Sequence, residues 1–172
     1  MMGPHVQRSW APRGRTPVLR QRGRSRQKVS VIAALSISPG RRRVRGWFGF
    51  EPQASFDGQR IVAFLRQLLR SLRTRVVLVW DRLQAHLGEP VAGWLRANSH
   101  RIQAEPLPAY APELNPVELI WGHAKTHTLA NYAPTEFNDL LVSTELAALS
   151  IGDDQHLLRS LLKHCPLPLH LR

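Results

Sequence analysis

Acidic residues are missing from the first 50 positions, and Glu51 is the first of them. The lone cysteine, Cys165, excludes an internal disulfide framework and any four-cysteine zinc site. Lysine is almost absent, occurring only at Lys28, Lys125 and Lys163. No apolar run approaches the ~18 residues of a membrane span, and the stretch Val76-Val77-Leu78-Val79-Trp80 is the most prominent. The opening MMGPHVQRSW lacks the apolar core of a secretory signal. There is no Gly-rich phosphate loop, no Gly-x-Ser-x-Gly nucleophile elbow and no internal repeat. These absences leave a soluble, cytoplasmic protein with no membrane partner as the expectation.

What is present is arginine. The chain of 172 residues carries 24 Lys+Arg against 12 Asp+Glu, a formal charge of +12. A coding bias can turn lysine into arginine, but it does not create a net excess of that size. Arginine forks onto phosphate oxygens, so nucleic acid is the favoured polyanionic partner. Hydrophobic residues make up 43% and charged residues 21%, a globular balance for about one domain.

Residues 1–26 are rich in Arg, Gly and Pro and read as a basic arm or loop, suited to phosphate contact or to solvation alone. Residues 28–38 read as a buried strand, Pro39-Gly40 as a turn, and 43–51 as the hairpin partner. Helical spacing of Ile61, Leu65, Leu68 and Leu72 predicts an amphipathic helix over 57–73. The apolar run of 75–81 predicts a strand covered on both faces. A helix near 89–98, a short strand over 102–109, and helices over about 116–129, 135–149 and 154–163 complete a layered α/β sheet.

Two acids stand at informative places. Asp81 ends the most apolar strand, where sites collect in open α/β sheets, although an Asp that merely turns the chain fits as well. Glu118 is third in a helix whose cap is Asn115 and whose first residue is Pro116, a capping-box pattern that would itself explain the Glu. Two carboxylates in a strongly basic chain suggest magnesium-assisted phosphodiester chemistry, with arginines on the backbone of the nucleic acid. His123 and His127, one helical turn apart, could touch one zinc, but the stretch HAKTH lacks the metalloprotease Glu. His164 beside Cys165 reads as structural.

The segments VVLVWDRLQAH and LPAYAPELNPVELIWGHAK resemble the second and third acidic motifs of DDE transposases of bacterial insertion sequences, in the mariner-like superfamily. RSWAPRGRTPVLR and KVSVIAAL resemble the stretch that follows the first acidic motif there. The resemblance runs over nearly the whole chain, and YAPELNPVE followed by Trp121 and Lys125 is its most specific part. It implies a ribonuclease H-like mixed sheet with flanking helices. It also implies two magnesium or manganese ions, cleavage of DNA at element ends, and joining of the 3′-hydroxyl to target DNA. By motif, Asp81 and Glu118 match the second and third acids and would bind the metal, with 36 residues between them. His86 matches the histidine after the second acid, and Asn115 and Pro116 match the loop before the third. Arg13, Arg15, Arg20, Arg22, Arg24, Arg26, Lys28, Arg41, Arg42 and Arg43 are the expected DNA-binding side chains.

The resemblance fails at one place. The family's first Asp lies on a first, central strand upstream of the RSWAPRG-like segment, and nothing acidic precedes Glu51 here. The expectation is therefore a partial, N-terminally truncated catalytic domain over 27–172 with that strand missing, inactive alone. Homo-oligomers or mixed assembly with a full-length transposase are the expected partners besides DNA. Asp57 is a candidate substitute acid, although it begins a predicted helix. A non-catalytic basic DNA-binding or interaction remnant and a stand-alone metal nuclease remain as other readings.

Overall fold

The computed structural model describes residues 5–19, 27–169 and 171. Two two-stranded ladders and six helices make up the fold among these residues. Strand β1 (Val29–Ile37) turns at Pro39-Gly40 and pairs antiparallel with β2 (Val44–Pro52). β-branched and aromatic side chains favour this extended pair. Helix α1 (Gly58–Ser71) follows; the Asp57 carboxylate caps it by accepting the Arg60 amide at 2.9 Å. Strand β3 (Val76–Trp80), the short α2 (Gln84–Leu87) and α3 (Val91–Ala97) lead to β4 (Ile102–Pro106), parallel to β3. Then come α4 (Pro116–His123), α5 (Phe137–Asp153) and α6 (Gln155–His164).

The hairpin is a wall between two cores, and its period of two decides which residue serves which. Leu35 and Ile37 of β1, with Val44 and Phe48 of β2, pack on Ile120, Ala124, Ile151, Leu158 and Leu162 from α4 to α6. Ile32, Ala34 and Trp47 point the other way, onto Ile61, Val62, Leu65, Leu68 and Val91. Leu78 and Trp80 of β3 join that second cluster, so α1 underlies both ladders. Full burial of side chains such as Ile61 and Leu158 stabilises by about 1.5–3 kcal/mol each.

Four expectations need correction. The layered sheet is split: β1–β2 and β3–β4 share no ladder hydrogen bonds among the described residues. Strand β3 is covered on one face, not two; Leu78 and Trp80 rest on the helices while Val77 and Val79 remain 64% and 48% exposed. The strand expected over 102–109 ends at Pro106, because prolines at 106 and 108 cannot donate to a ladder. The helix expected over 116–129 widens after His123 into a π turn over Ala124–Thr128. There the Leu129 amide reaches back five residues to the Ala124 carbonyl, and the Thr126 hydroxyl donates to the Gly122 carbonyl.

Two further contacts hold the layers. The amide of Gln155 closes the outer edge of β2, accepting the Val44 N–H at 3.1 Å and donating to the Val44 carbonyl. Gly46 of β2 and Gly152 of α5 face each other so closely that a Cβ on Gly46 would stand 2.8 Å from the Gly152 Cα. The arm is docked at its start. His5 bridges to Ala130, its carbonyl accepts the Asn131 N–H, and the Gln7 N–H donates to the Asn131 side chain at 2.8 Å.

Candidate metal and DNA site

Strands β3 and β4 run parallel, so their carboxyl ends share one side of the molecule. Trp80 is in register with Pro106. The Leu107 N–H donates to the Trp80 carbonyl at 2.7 Å, and Arg82 Nε donates to the Leu107 carbonyl at 2.9 Å. The chain leaving β4 therefore starts beside Asp81. It runs through a single 3-10 turn, Pro112–Leu114, and enters α4, whose third residue is Glu118.

Asp81 is held from behind and open in front. Its Oδ1 accepts the Leu83 N–H at 3.0 Å and lies 2.7 Å from His86 Nδ1. The His86 ring stacks on Trp80 with centroids 4.5 Å apart and planes 5° from parallel. The imidazole is 12% exposed and the carboxylate 49%. The local Asx-type turn explains part of the Asp; the stacked histidine is additional to what a turn needs.

Glu118 is exposed. Asn115 caps α4 as expected, its Oδ1 accepting the Val117 N–H at 3.1 Å, and Pro116 is the first helical residue. The reciprocal half of a capping box does not form. The Asn115 N–H goes instead to the Pro112 carbonyl at 2.9 Å. The Glu118 carboxylate has no hydrogen bond or ion pair among the described residues. Both acids offer the oxygen donors that magnesium and manganese accept. No group of three or more His, Cys, Asp or Glu side chains gathers to hold a metal among the described residues.

The other candidates sort on geometry. Asp57 is engaged as the α1 cap and pairs with Arg60, whose backbone hydrogen bond chiefly lowers its pKa. The His123 and His127 rings stack at 4.4 Å, and His127 Nδ1 meets the Thr126 hydroxyl at 2.8 Å. His164 Nδ1 meets the Ser160 carbonyl at 2.7 Å, a structural contact, and Cys165 is buried. Arg13 and Arg15 are exposed on the arm, and Arg41, Arg42 and Arg43 are exposed at the hairpin tip. The Lys28 ammonium donates to the Ser55 hydroxyl at 2.8 Å. Arg20, Arg22, Arg24 and Arg26 lie outside the described residues. Trp80, the plate beneath His86, was not among the sequence candidates; an aromatic directly before the acid was its signal.

Residues 2–140 match the family described as DDE superfamily endonuclease. No curated protein matches the sequence. Solved structures do. The Mos1 mariner paired end complex with Mn superposes with a TM-score of 0.59 at 16% identity, over 95% of this chain and 51% of that one. The Mos1 strand transfer complex gives 0.61 at 19%, over 94% and 47%. The catalytic domain of Mos1 mariner transposase gives 0.56 at 16%, over 79% and 76%. The fold is thus ribonuclease H-like, a mixed α/β arrangement with flanking helices. The chain belongs to the DDE superfamily endonuclease family and spans about half the length of the Mos1 chains in those complexes. Among the described residues, no helix is long and apolar enough to cross a membrane.

Proposed function

We propose that these residues form the DNA-handling part of a DDE transposase catalytic domain, with Asp81 and Glu118 as two of its metal-holding carboxylates. One observation carries the reading most. The carboxyl end of the parallel pair bears Asp81, and the loop that starts beside it leads to a Glu118 carboxylate engaged by no other side chain among the described residues. Asp81 and Glu118 would hold a magnesium or manganese ion. Such an ion neutralises phosphate charge and activates the attacking oxygen. His86 fixes the Asp81 carboxylate against Trp80, and Asn115 with Pro116 fixes the start of the helix that carries Glu118. Arginines of the arm and hairpin tip would track the DNA backbone at element ends and target.

Positions 1–50 supply no third acid, so these residues on their own bind DNA without cutting it. A site holding fewer carboxylates binds metal weakly and misplaces its water, and a misplacement of about 1 Å costs about a hundredfold in rate. The test is twofold. Manganese titrated calorimetrically should bind, and Asp81→Asn or Glu118→Gln should each abolish the heat. DNA affinity should fall on the order of a thousandfold between 50 and 200 mM salt, as for about six neutralised phosphates. Salt-insensitive binding, or manganese heat unchanged in both variants, would overturn the reading. Cleavage by this chain that Asp81→Asn abolishes would show that another acid completes the site.

A further inference from the structure

Tyr110 is fully exposed and stands at φ 58°, in the left-handed region that a bulky side chain rarely occupies. Among the described residues, the other non-glycine residues there are Arg41, Gln53 and Asn131, and Tyr110 is the one aromatic of the four. Its loop is not slack. At one end Leu107 is buried and bonded to Trp80 and Arg82. At the other, Asn115 caps α4. Pro108 and Pro112 flank Tyr110 and restrict the backbone on each side. A pinned loop thus maintains a strained conformation and presents a phenol ring to water, and strain of this kind collects at functional sites.

The loop links the end of β4, beside Asp81, to the start of the helix carrying Glu118. An aromatic ring there would meet whatever lies next to a phosphate held between the two acids. We infer that Tyr110 is a base-stacking residue, receiving the face of an unpaired nucleobase adjacent to the phosphate at this site. The inference rests on the DNA-handling reading above and adds a base contact to it. A nucleobase fits better than a protein partner. The ring stands among the small side chains Pro108, Ala109, Ala111 and Pro112, and the formal charge of +12 favours a polyanionic nucleic acid over a protein as the partner that reaches it. Stacking also tolerates any base sequence, which suits a contact set by position.

The experiment uses the whole chain and a DNA duplex with a short 3′ overhang, carrying 2-aminopurine at the first unpaired position. Wild type and Tyr110→Phe should quench the fluorophore on binding with manganese present. Tyr110→Ala and Tyr110→Gly should not quench it, and should bind on the order of tenfold more weakly with an unchanged salt slope. Glycine adopts this φ freely, so Tyr110→Gly should keep or raise the melting temperature, which separates lost stacking from lost folding. Equal quenching by all four proteins overturns the inference. So does a change in self-association of Tyr110→Ala with quenching retained, which assigns the ring to a protein contact. Ring-dependent quenching that persists in Asp81→Asn and Glu118→Gln, with manganese heat also unchanged, keeps the stacking and removes the metal-site reading. Absence of DNA binding by the wild type overturns both.

Discussion

The imidazole of His86 lies flat on the indole of Trp80 and touches the Asp81 carboxylate at 2.7 Å. Strand end, acid, histidine and aromatic therefore form one unit, and the position of the acid depends on the ring behind it. His86→Ala should lower manganese affinity by about 10- to 100-fold, the usual effect of losing a group that orients a ligand. Calorimetric titration measures this. Affinity equal to that of the wild type would show that the Asx-type turn to Leu83 alone positions Asp81.

A close approach between layers gives a second prediction. A Cβ on Gly46 would meet the Gly152 Cα at 2.8 Å and Phe48 Cε2 at 2.9 Å. One of these neighbours is backbone, so the contact is not relieved by a rotamer change. Gly46→Ala should cost about 1–3 kcal/mol, the usual range for overpacking. For a chain of this size that corresponds to several degrees of melting temperature. Gly122→Ala, where an added Cβ meets nothing within 4 Å, is the control and should not destabilise. Equal melting temperatures for wild type and Gly46→Ala would contradict the packing.

Stability should also depend on pH through His123. Burial lowers its pKa below the ordinary 6.5, the stacked His127 lowers it further, and Asp154 opposes both. The unfolded chain then takes up the proton at a higher pH than the folded one. Stability is greatest above 6.5, declines as pH falls through 6.5 toward the lowered folded value, and levels off below it. His123→Gln should flatten this part of the profile. Urea midpoints at several pH values, compared between the two proteins, provide the check; parallel profiles would remove His123 as the cause.

Open strand edges lead to a fourth expectation. The outer edge of β2 is closed at Val44 by Gln155, but β1 and β3 make no ladder with one another, and Val77 and Val79 are exposed. Unpaired strand edges beside apolar side chains favour association. Light scattering should show self-association that rises with concentration. The double variant Val77→Lys, Val79→Lys should shift the population toward monomer. A monodisperse wild-type monomer at high concentration would contradict this.

Much of this was legible in the residues, for identifiable reasons. The hairpin followed from Pro39-Gly40 between β-branched runs, α1 from the spacing of Ile61, Leu65, Leu68 and Leu72, and the α4 cap from Asn115-Pro116. Each is a local rule, and local rules act within a few residues. The misses were tertiary. The composition of Val76–Trp80 reads the same whether one face or two is covered, and only the placement of α1 decides. Closure of the β2 edge by Gln155 joins positions 111 residues apart, which no window detects. At the candidate site, motif and position named Asp81, His86 and Glu118, but not that the Asn115 N–H turns to the Pro112 carbonyl instead of Glu118.

Among the described residues the hairpin is the element that contributes to both cores, and this sets the order in which the molecule opens. Melting β1–β2 removes a wall from each cluster at once, so the hairpin can open only with the whole molecule. The β3–β4 pair reaches one cluster and leaves its other face to water. It can detach while the helices over the far side of the hairpin remain packed. Backbone amides of Val77 and Leu78 should therefore exchange with solvent deuterium through a partial opening of lower free energy than amides of Leu35 or Phe48. Asp81 is attached to the looser unit and Glu118 to the tighter one, on α4, which packs against the hairpin. Their spacing is then an equilibrium property of how often the two units are docked, and a ligand that bridges both acids would slow the exchange of β3.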